Sequence, residues 1–189
     1  ATDGRGLRDA RKKVMALPSW HEEAIEKHHR RAAFECGEPE LDTYLARHAR
    51  KAHERGAAKT FLAIADDAPG EVLGFYSVSP ACLAFETAPD SVRKGLARHE
   101  VPVFRLARLA VARPVQGQGL GGQLLLAAGR RCLRAASQAG GVALLIDAKS
   151  DRAAQWYRTY GAIARPDRPH SLVLPFATLH AALSAAGQL

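Results

Sequence analysis

Gln116-Gly117-Gln118-Gly119-Leu120-Gly121 lies between an apolar stretch, Leu106 to Val111, and a helix-like stretch, Leu124 to Ala139. A glycine-rich turn that feeds a helix leaves several backbone N–H groups unpaired and pointing one way, and the helix dipole adds partial positive charge there. Such a turn suits a pyrophosphate. Its glycines let the backbone approach phosphate closely and adopt conformations that a side chain forbids. Gly117, Gly119 and Gly122 also spell the G-x-G-x-x-G of a dinucleotide fold. That fingerprint, however, starts directly after its strand and wants an acidic residue about 20 positions later. Here Arg113-Pro114 intervenes and the next carboxylate is Asp147. A plain loop and helix start is the remaining reading.

Outward from this turn the chain alternates between helical and extended patterns. Glu38-Pro39 opens a helix to about Arg55, with Leu41, Leu45, Ala49 and Ala52 at helical spacing and Gly56 as a stop. Thr60 to Ala65 and Val72 to Ser79 read as strands joined by the turn-rich Asp66-Asp67-Ala68-Pro69-Gly70. Ser91 to His99 reads as a helical turn, and Phe104 to Val111 as a strand ended by Pro114. The helix from Gly119 to about Ala139 buries Leu124, Ala128, Cys132 and Ala135, and Gly140-Gly141 stops it. Val142 to Ile146 is a wholly apolar strand, Ser150 or Asp151 caps a helix over Arg152 to Tyr160, and His170 to Leu174 closes the sheet. The pattern predicts one mixed α/β sheet with helices on both faces.

Composition sets bounds. The chain has 189 residues, 47% of them apolar, enough for one domain with a real core. Its net charge of +8 favours an acidic partner such as nucleic acid. Three scattered cysteines without a C-x-x-C pair argue for a reducing compartment, the cytoplasm, and against a disulfide frame or zinc site. The eight histidines lack ligand spacing, so no metal is expected. No stretch approaches the roughly 18 consecutive apolar residues of a membrane helix, and no membrane role is expected. Residues 1–14 precede the only methionine, Met15, and read as a disordered extension; residues 177–189 are an Ala-rich tail suited to a short helix.

The loop is similar to the acyl-CoA loop of the GNAT N-acetyltransferase superfamily, in which Gln or Arg, two residues, Gly, one residue, and Gly or Ala follow a strand and precede a long helix. Gln116, Gly119 and Gly121 occupy those places. The resemblance continues through Phe34-Glu35-Cys36-Gly37, Leu41-Asp42-Thr43-Tyr44-Leu45, Gly74-Phe75-Tyr76-Ser77, Ala107-Arg108-Leu109-Ala110-Val111 and Trp156-Tyr157-Arg158-Thr159-Tyr160-Gly161-Ala162. In this order the segments resemble the GNAT toxins of bacterial toxin–antitoxin pairs. They cover about residues 30–176, within a domain drawn at 15–176. The chain departs from the family at Ala162, where a bulky aromatic is usual, which predicts looser packing under the last helix.

That resemblance implies a GNAT fold with a mostly antiparallel central sheet, and acetyl transfer from acetyl-CoA to an amine. It places the cofactor on main-chain groups of Leu109, Ala110 and Val111 and on the loop Gln116, Gly117, Gln118, Gly119, Leu120, Gly121 and Gly122. Tyr157, turned about 100° from Trp156 on a helix, becomes the candidate proton donor to the CoA thiolate. No carboxylate stands out as a base, which an α-amino acceptor tolerates because its reference pKa is about 7.7 to 8.0. The toxin resemblance implies aminoacyl-tRNA as acceptor, blocked translation, a ribbon-helix-helix antitoxin and a homodimer. Arg47, Lys51 and Arg55, spaced by four, with Arg93, Lys94, Arg98 and Arg108, are the candidate RNA contacts, although Glu54 also suits an ordinary salt-bridged surface. Two alternatives stay open: a GNAT acting on a protein N-terminus or a small amine, and a non-catalytic acyl-CoA or RNA-binding module.

Overall fold

The computed structural model describes residues 16–166 and 168–187; residues 1–14, expected as an extension, lie outside them. Among these described residues seven strands form one sheet: β1 (Trp20–Ala24), β2 (Lys59–Ala65), β3 (Val72–Leu83), β4 (Val101–Val111), β5 (Ala143–Asp147), β6 (Ile163–Arg165) and β7 (Arg168–Pro175). Their spatial order is β1-β2-β3-β4-β5-β7-β6. Every pairing is antiparallel except β4 with β5. The helices are α1 (Pro39–Thr43), α2 (Ala49–Glu54), α3 (Asp90–Arg93), α4 (Leu120–Ala139), α5 (Asp151–Arg158) and α6 (Phe176–Ala185).

Alternation along the strands divides the core between two faces. Phe61 and Ala63 of β2, Tyr76 of β3, Leu144 of β5 and Leu172 of β7 pack with Leu124, Leu125 and Ala128 of α4, Ala154 of α5 and Leu179 of α6. The opposite side of the same strands presents Leu62, Ile64 and Phe75 to Leu45 and Ala49. A third cluster joins Val92 of α3 to Val101, Val103, Leu145 and Val173. Ala162 is buried in the first cluster.

Several elements differ from the sequence expectation. The helix over Glu38 to Arg55 is one continuous rod, but Tyr44–His48 is a π turn between α1 and α2. The turn expected over Ser91 to His99 is the shorter α3. β3 runs on through Pro80 to Leu83, and β4 begins at Val101 rather than Phe104, because the two extensions pair with each other from Pro80↔Phe104 to Leu83↔Val101. Strands β1 and β6 were not expected. The first is polar, and it is held by Tyr76, whose hydroxyl donates to Glu22 at 2.6 Å and accepts from Arg131 Nε at 3.0 Å. Arg131 also pairs with Glu22 and lies over the Phe61 ring at 3.4 Å. Among the described residues no helix is long and apolar enough to cross a membrane.

Candidate active site

The site begins where two strands part. β4 and β5 pair from Phe104↔Leu144 to Leu106↔Ile146 and no further, while β4 stays paired with β3 as far as Gly74↔Val111. Among the described residues the β5-facing edge of Ala107 to Val111 therefore has no strand beside it. Ala112 N–H donates to Leu73 O at 2.8 Å, toward β3. Successive strand N–H groups face opposite edges, so those of Val111 and Leu109 face the gap. Val111 O lies on the same edge, where it accepts from Gln116 Nε2 at 2.9 Å. Ala110 turns its N–H toward β3 and buries its side chain on the α1–α2 face.

The glycine loop lies beyond the open end of this gap. Gly117 and Gly119 take φ of +78° and +87°, left-handed values that cost a side chain dearly. No heavy atom stands within 4 Å of where a Cβ would sit on either. These two are required for conformation, whereas Gly121 lies against Trp156, 3.5 Å from its would-be Cβ, a distance at which an alanine would make an ordinary contact. Gln116 also donates to Cys36 O at 2.7 Å, and Gln118 Nε2 donates to Pro114 O at 3.3 Å. Both glutamine amides thus hold the shape of the loop. Leu120 is buried in the core, leaving the first N–H groups of α4, which have no intrahelical acceptor, as the loop's donors.

Tyr157 stands on the other wall of the gap. Ser150 caps α5, its Oγ accepting from Ala153 N–H at 3.2 Å. That start fixes the helix phase, so that Tyr157 lines a cleft of about 350 Å³ with Leu106, Ala107, Arg108 and Leu109 of the parted strand. Burial alone pushes its phenol up to about 12. At neutral pH it keeps its proton. The sequence reading did not single out other cleft residues, among them the charged Glu40, Asp147 and Lys149. They come from segments far apart in the chain, and only the fold joins them. Lys149 pairs with Glu38 across the mouth, and Asp147 accepts from Ser171 Oγ at 3.0 Å.

The candidate RNA contacts separate. Arg47, Lys51 and Arg55 line one depression of about 360 Å³ with Arg31 and Arg50, and Glu54 there pairs with Arg50. Burial and the neighbouring Arg50 lower the pKa of Arg31. Arg108 sits in the tyrosine cleft with its guanidinium 5.0 Å from the Tyr44 ring centroid. Arg93 pairs with Asp90 and stacks on Phe85 at 5.4 Å. With Lys94 and Arg98 it belongs to the α3 segment, which packs through Val92 near Val101 at the opposite end of β4 from the loop. The structure therefore groups the first three, places Arg108 nearest the chemistry, and sets the α3 set apart.

Glu23, His28 and His29 bring their ligand atoms within 4.8 Å of one another. His29 Nδ1 accepts from Glu26 N–H at 2.9 Å, so its proton is on Nε2, which lies 2.9 Å from Glu23. That tautomer offers no lone pair to a cation.

Comparison with known proteins identifies the fold and the family. The acetyltransferase (GNAT) domain profile matches residues 57–161. A tyrosine-to-phenylalanine variant of KacT superimposes with a TM-score of 0.80 at 24% identity, covering 86% of this chain and 98% of that one. AtaT complexed with acetyl-methionyl-tRNAfMet gives a TM-score of 0.80 at 23% identity, covering 87% and 99%. These two establish the fold. A tRNA-acetylating toxin of Mycobacterium tuberculosis is 39% identical over 142 residues, which are 75% of this chain and 83% of the relative. Identity at that level over most of both proteins leaves one assignment: the chain belongs to the GNAT acetyltransferase family, among its acetyl-CoA-dependent toxins of toxin–antitoxin pairs.

Proposed function

We propose that this protein transfers an acetyl group from acetyl-CoA to the α-amino group of an aminoacyl-tRNA and so removes the charged tRNA from translation. One observation carries the reading. Tyr157 and the free edge of β4 line a single cleft, and the helix at its mouth continues from Leu41 to Arg47, Lys51 and Arg55. A reacting centre thus opens onto a cationic ridge running roughly 20 Å from it, at 1.5 Å per helical residue.

The residues fit the co-substrate. When bound, acetyl-CoA supplies an acyl group activated as a thioester. The left-handed glycines and the first N–H groups of α4 suit its pyrophosphate, and Leu109 and Val111 N–H would hold its pantetheine and carbonyl. Fixed main-chain donors aimed at developing oxyanion charge are worth about 2.7 to 4 kcal/mol each in well-characterised enzymes. Tyr157 donates its phenolic proton to the departing sulfur as the new C–N bond forms and the C–S bond breaks. The proton lost by the amine returns to Tyr157 through water. The cleft carboxylates, Glu40 and Asp147, need not act as base for an amine that is partly neutral at cellular pH.

By the same reading the toxin acts in the cytoplasm as a homodimer and is silenced by a ribbon-helix-helix antitoxin whose tail covers the basic cleft. The relative from Mycobacterium tuberculosis, named as a tRNA-acetylating toxin, supports the choice of substrate. The test is transfer of labelled acetyl into a pool of charged tRNAs, with uncharged tRNA and Tyr157→Phe as controls. Label confined to charged tRNA, falling about 10²-fold in the variant, is expected. No label on tRNA while acetyl-CoA still binds would redirect the reading to a protein N-terminus or a small amine. Failure to bind acetyl-CoA would leave a non-catalytic module.

A further inference from the structure

Tyr160 has no part in the chemistry above, yet its side chain reaches the glycine loop. Trp156 and Tyr160, four residues apart, turn away from the tyrosine cleft and line a second, adjoining depression of about 340 Å³ with Gly117, Gly119, Gly121 and Gly122. Their ring centroids are 5.0 Å apart in an edge-to-face arrangement. Trp156 touches Gly121 at ordinary contact distance. Tyr160 explains Gly122: a methyl group there would overlap the phenolic oxygen itself. The hydroxyl is thus seated on the first turn of α4.

That hydroxyl is not sealed from solvent. Among the described residues it has no hydrogen-bond partner, in contrast to Tyr76, whose hydroxyl is satisfied by Glu22 and Arg131. A phenylalanine would make the same ring contacts with Trp156. A tyrosine hydroxyl both donates and accepts, and this one stands where the unpaired N–H groups of a helix start collect.

We propose that Tyr160 is a cofactor-binding residue, its phenolic O–H donating to a phosphate oxygen of the CoA pyrophosphate held by the glycine loop. This rests on the acetyl-CoA reading given above. The backbone N–H groups of the loop approach the anion from one side and Tyr160 adds a side-chain donor from α5. The helix that carries Tyr157 into the cleft then also grips the cofactor. Gly122 is small because that donor needs its place.

The experiment is calorimetric titration of the wild-type protein and Tyr160→Phe with CoA and with pantetheine, which lacks the phosphates. Wild type should bind CoA more tightly than pantetheine. Tyr160→Phe should weaken CoA about tenfold, the scale of one hydrogen bond to a charged group, leave pantetheine unchanged, and keep the melting temperature. Equal weakening of both ligands would assign Tyr160 to packing, and unchanged CoA affinity would remove the hydroxyl from the site; either overturns the proposal. Were wild type itself indifferent to the phosphates, the loop reading would fall and this proposal with it.

Discussion

Tyr157 shows how one side chain takes its chemistry from its surroundings. Its phenol is pushed up to about 12 by burial, above the usual value near 10. A raised pKa keeps the proton on, so Tyr157 remains a donor throughout pH 6–9. The rate should therefore rise with pH as the acceptor amine loses its proton, near its reference pKa of about 7.7 to 8.0, and approach its plateau by about pH 9. A fall between pH 8 and 9 in the profile of kcat/KM would be incompatible with this assignment. The loop glycines allow a second test at the same scale. Gly119 and Gly140 have φ of +87° and +85°, and neither has an atom within 4 Å of its would-be Cβ. Alanine should cost about 1 to 2 kcal/mol at Gly119, which is left-handed helical, and about 1 to 3 kcal/mol at Gly140, whose ψ of 167° makes a backbone open essentially to glycine alone. Only Gly119→Ala should also weaken CoA, because Gly140 ends α4 at its far end. Melting curves and CoA titrations of the two variants check both halves. The glycines were legible as a loop, but not their division of labour. Chain spacing cannot tell that Gly117 and Gly119 serve conformation while Gly122 makes room for the Tyr160 hydroxyl.

Among the elements, β4 is the one on which the site depends, since it keeps β3 for its whole length and loses β5 halfway. Periodicity found the apolar run but could not reveal which edge would stay free, because pairing is a property of two segments. The missed elements have similar reasons. β1 reads Trp20-His21-Glu22-Glu23-Ala24 without apolar alternation, and its stabilising partners, Tyr76 and Arg131, are remote in sequence. β6 has three residues. Pro80 and Pro102 stand inside the paired extensions of β3 and β4, beyond the expected strands Val72 to Ser79 and Phe104 to Val111. A change in β3 tests whether β4 and α4 are set jointly. Gly74 pairs with Val111, and a Cβ there would lie 2.8 Å from Leu124 Cδ1 and 2.9 Å from Ala110 O. Leu124 can turn aside, but the backbone oxygen cannot. Gly74→Ala should cost about 1 to 3 kcal/mol, the usual price of overpacking. At roughly 2 to 4 °C per kcal/mol for a chain of this size, the melting temperature should drop by about 2 to 12 °C. CoA affinity should fall with it, since the free edge and the start of α4 move together. An unchanged melting point in a thermal scan would show that β3 and α4 yield independently.

Over the whole molecule, the charge of +8 said that an acidic partner was plausible but not where it would sit. The fold narrows this. Arg47, Lys51 and Arg55 gather with Arg31 and Arg50 around the single carboxylate of Glu54, which Arg50 already engages. Arg93 is occupied by Asp90. If the first group carries the tRNA, its contribution is largely counterion release, and the binding slope against log salt is about −0.9 for each phosphate neutralised. Replacing Arg47, Lys51 and Arg55 together by alanine should then raise KM for charged tRNA and flatten the salt slope by up to about 3. CoA affinity and turnover at saturating tRNA should be unchanged, since none of the three reaches the tyrosine cleft. The matching change at Arg93, Lys94 and Arg98 should have a smaller effect. Titrating KM from 50 to 300 mM salt for both triple variants decides between the faces. A flatter slope for the α3 set alone would move the RNA to the other end of β4, and equal slopes for all three proteins would leave these cations as ordinary solvated charge.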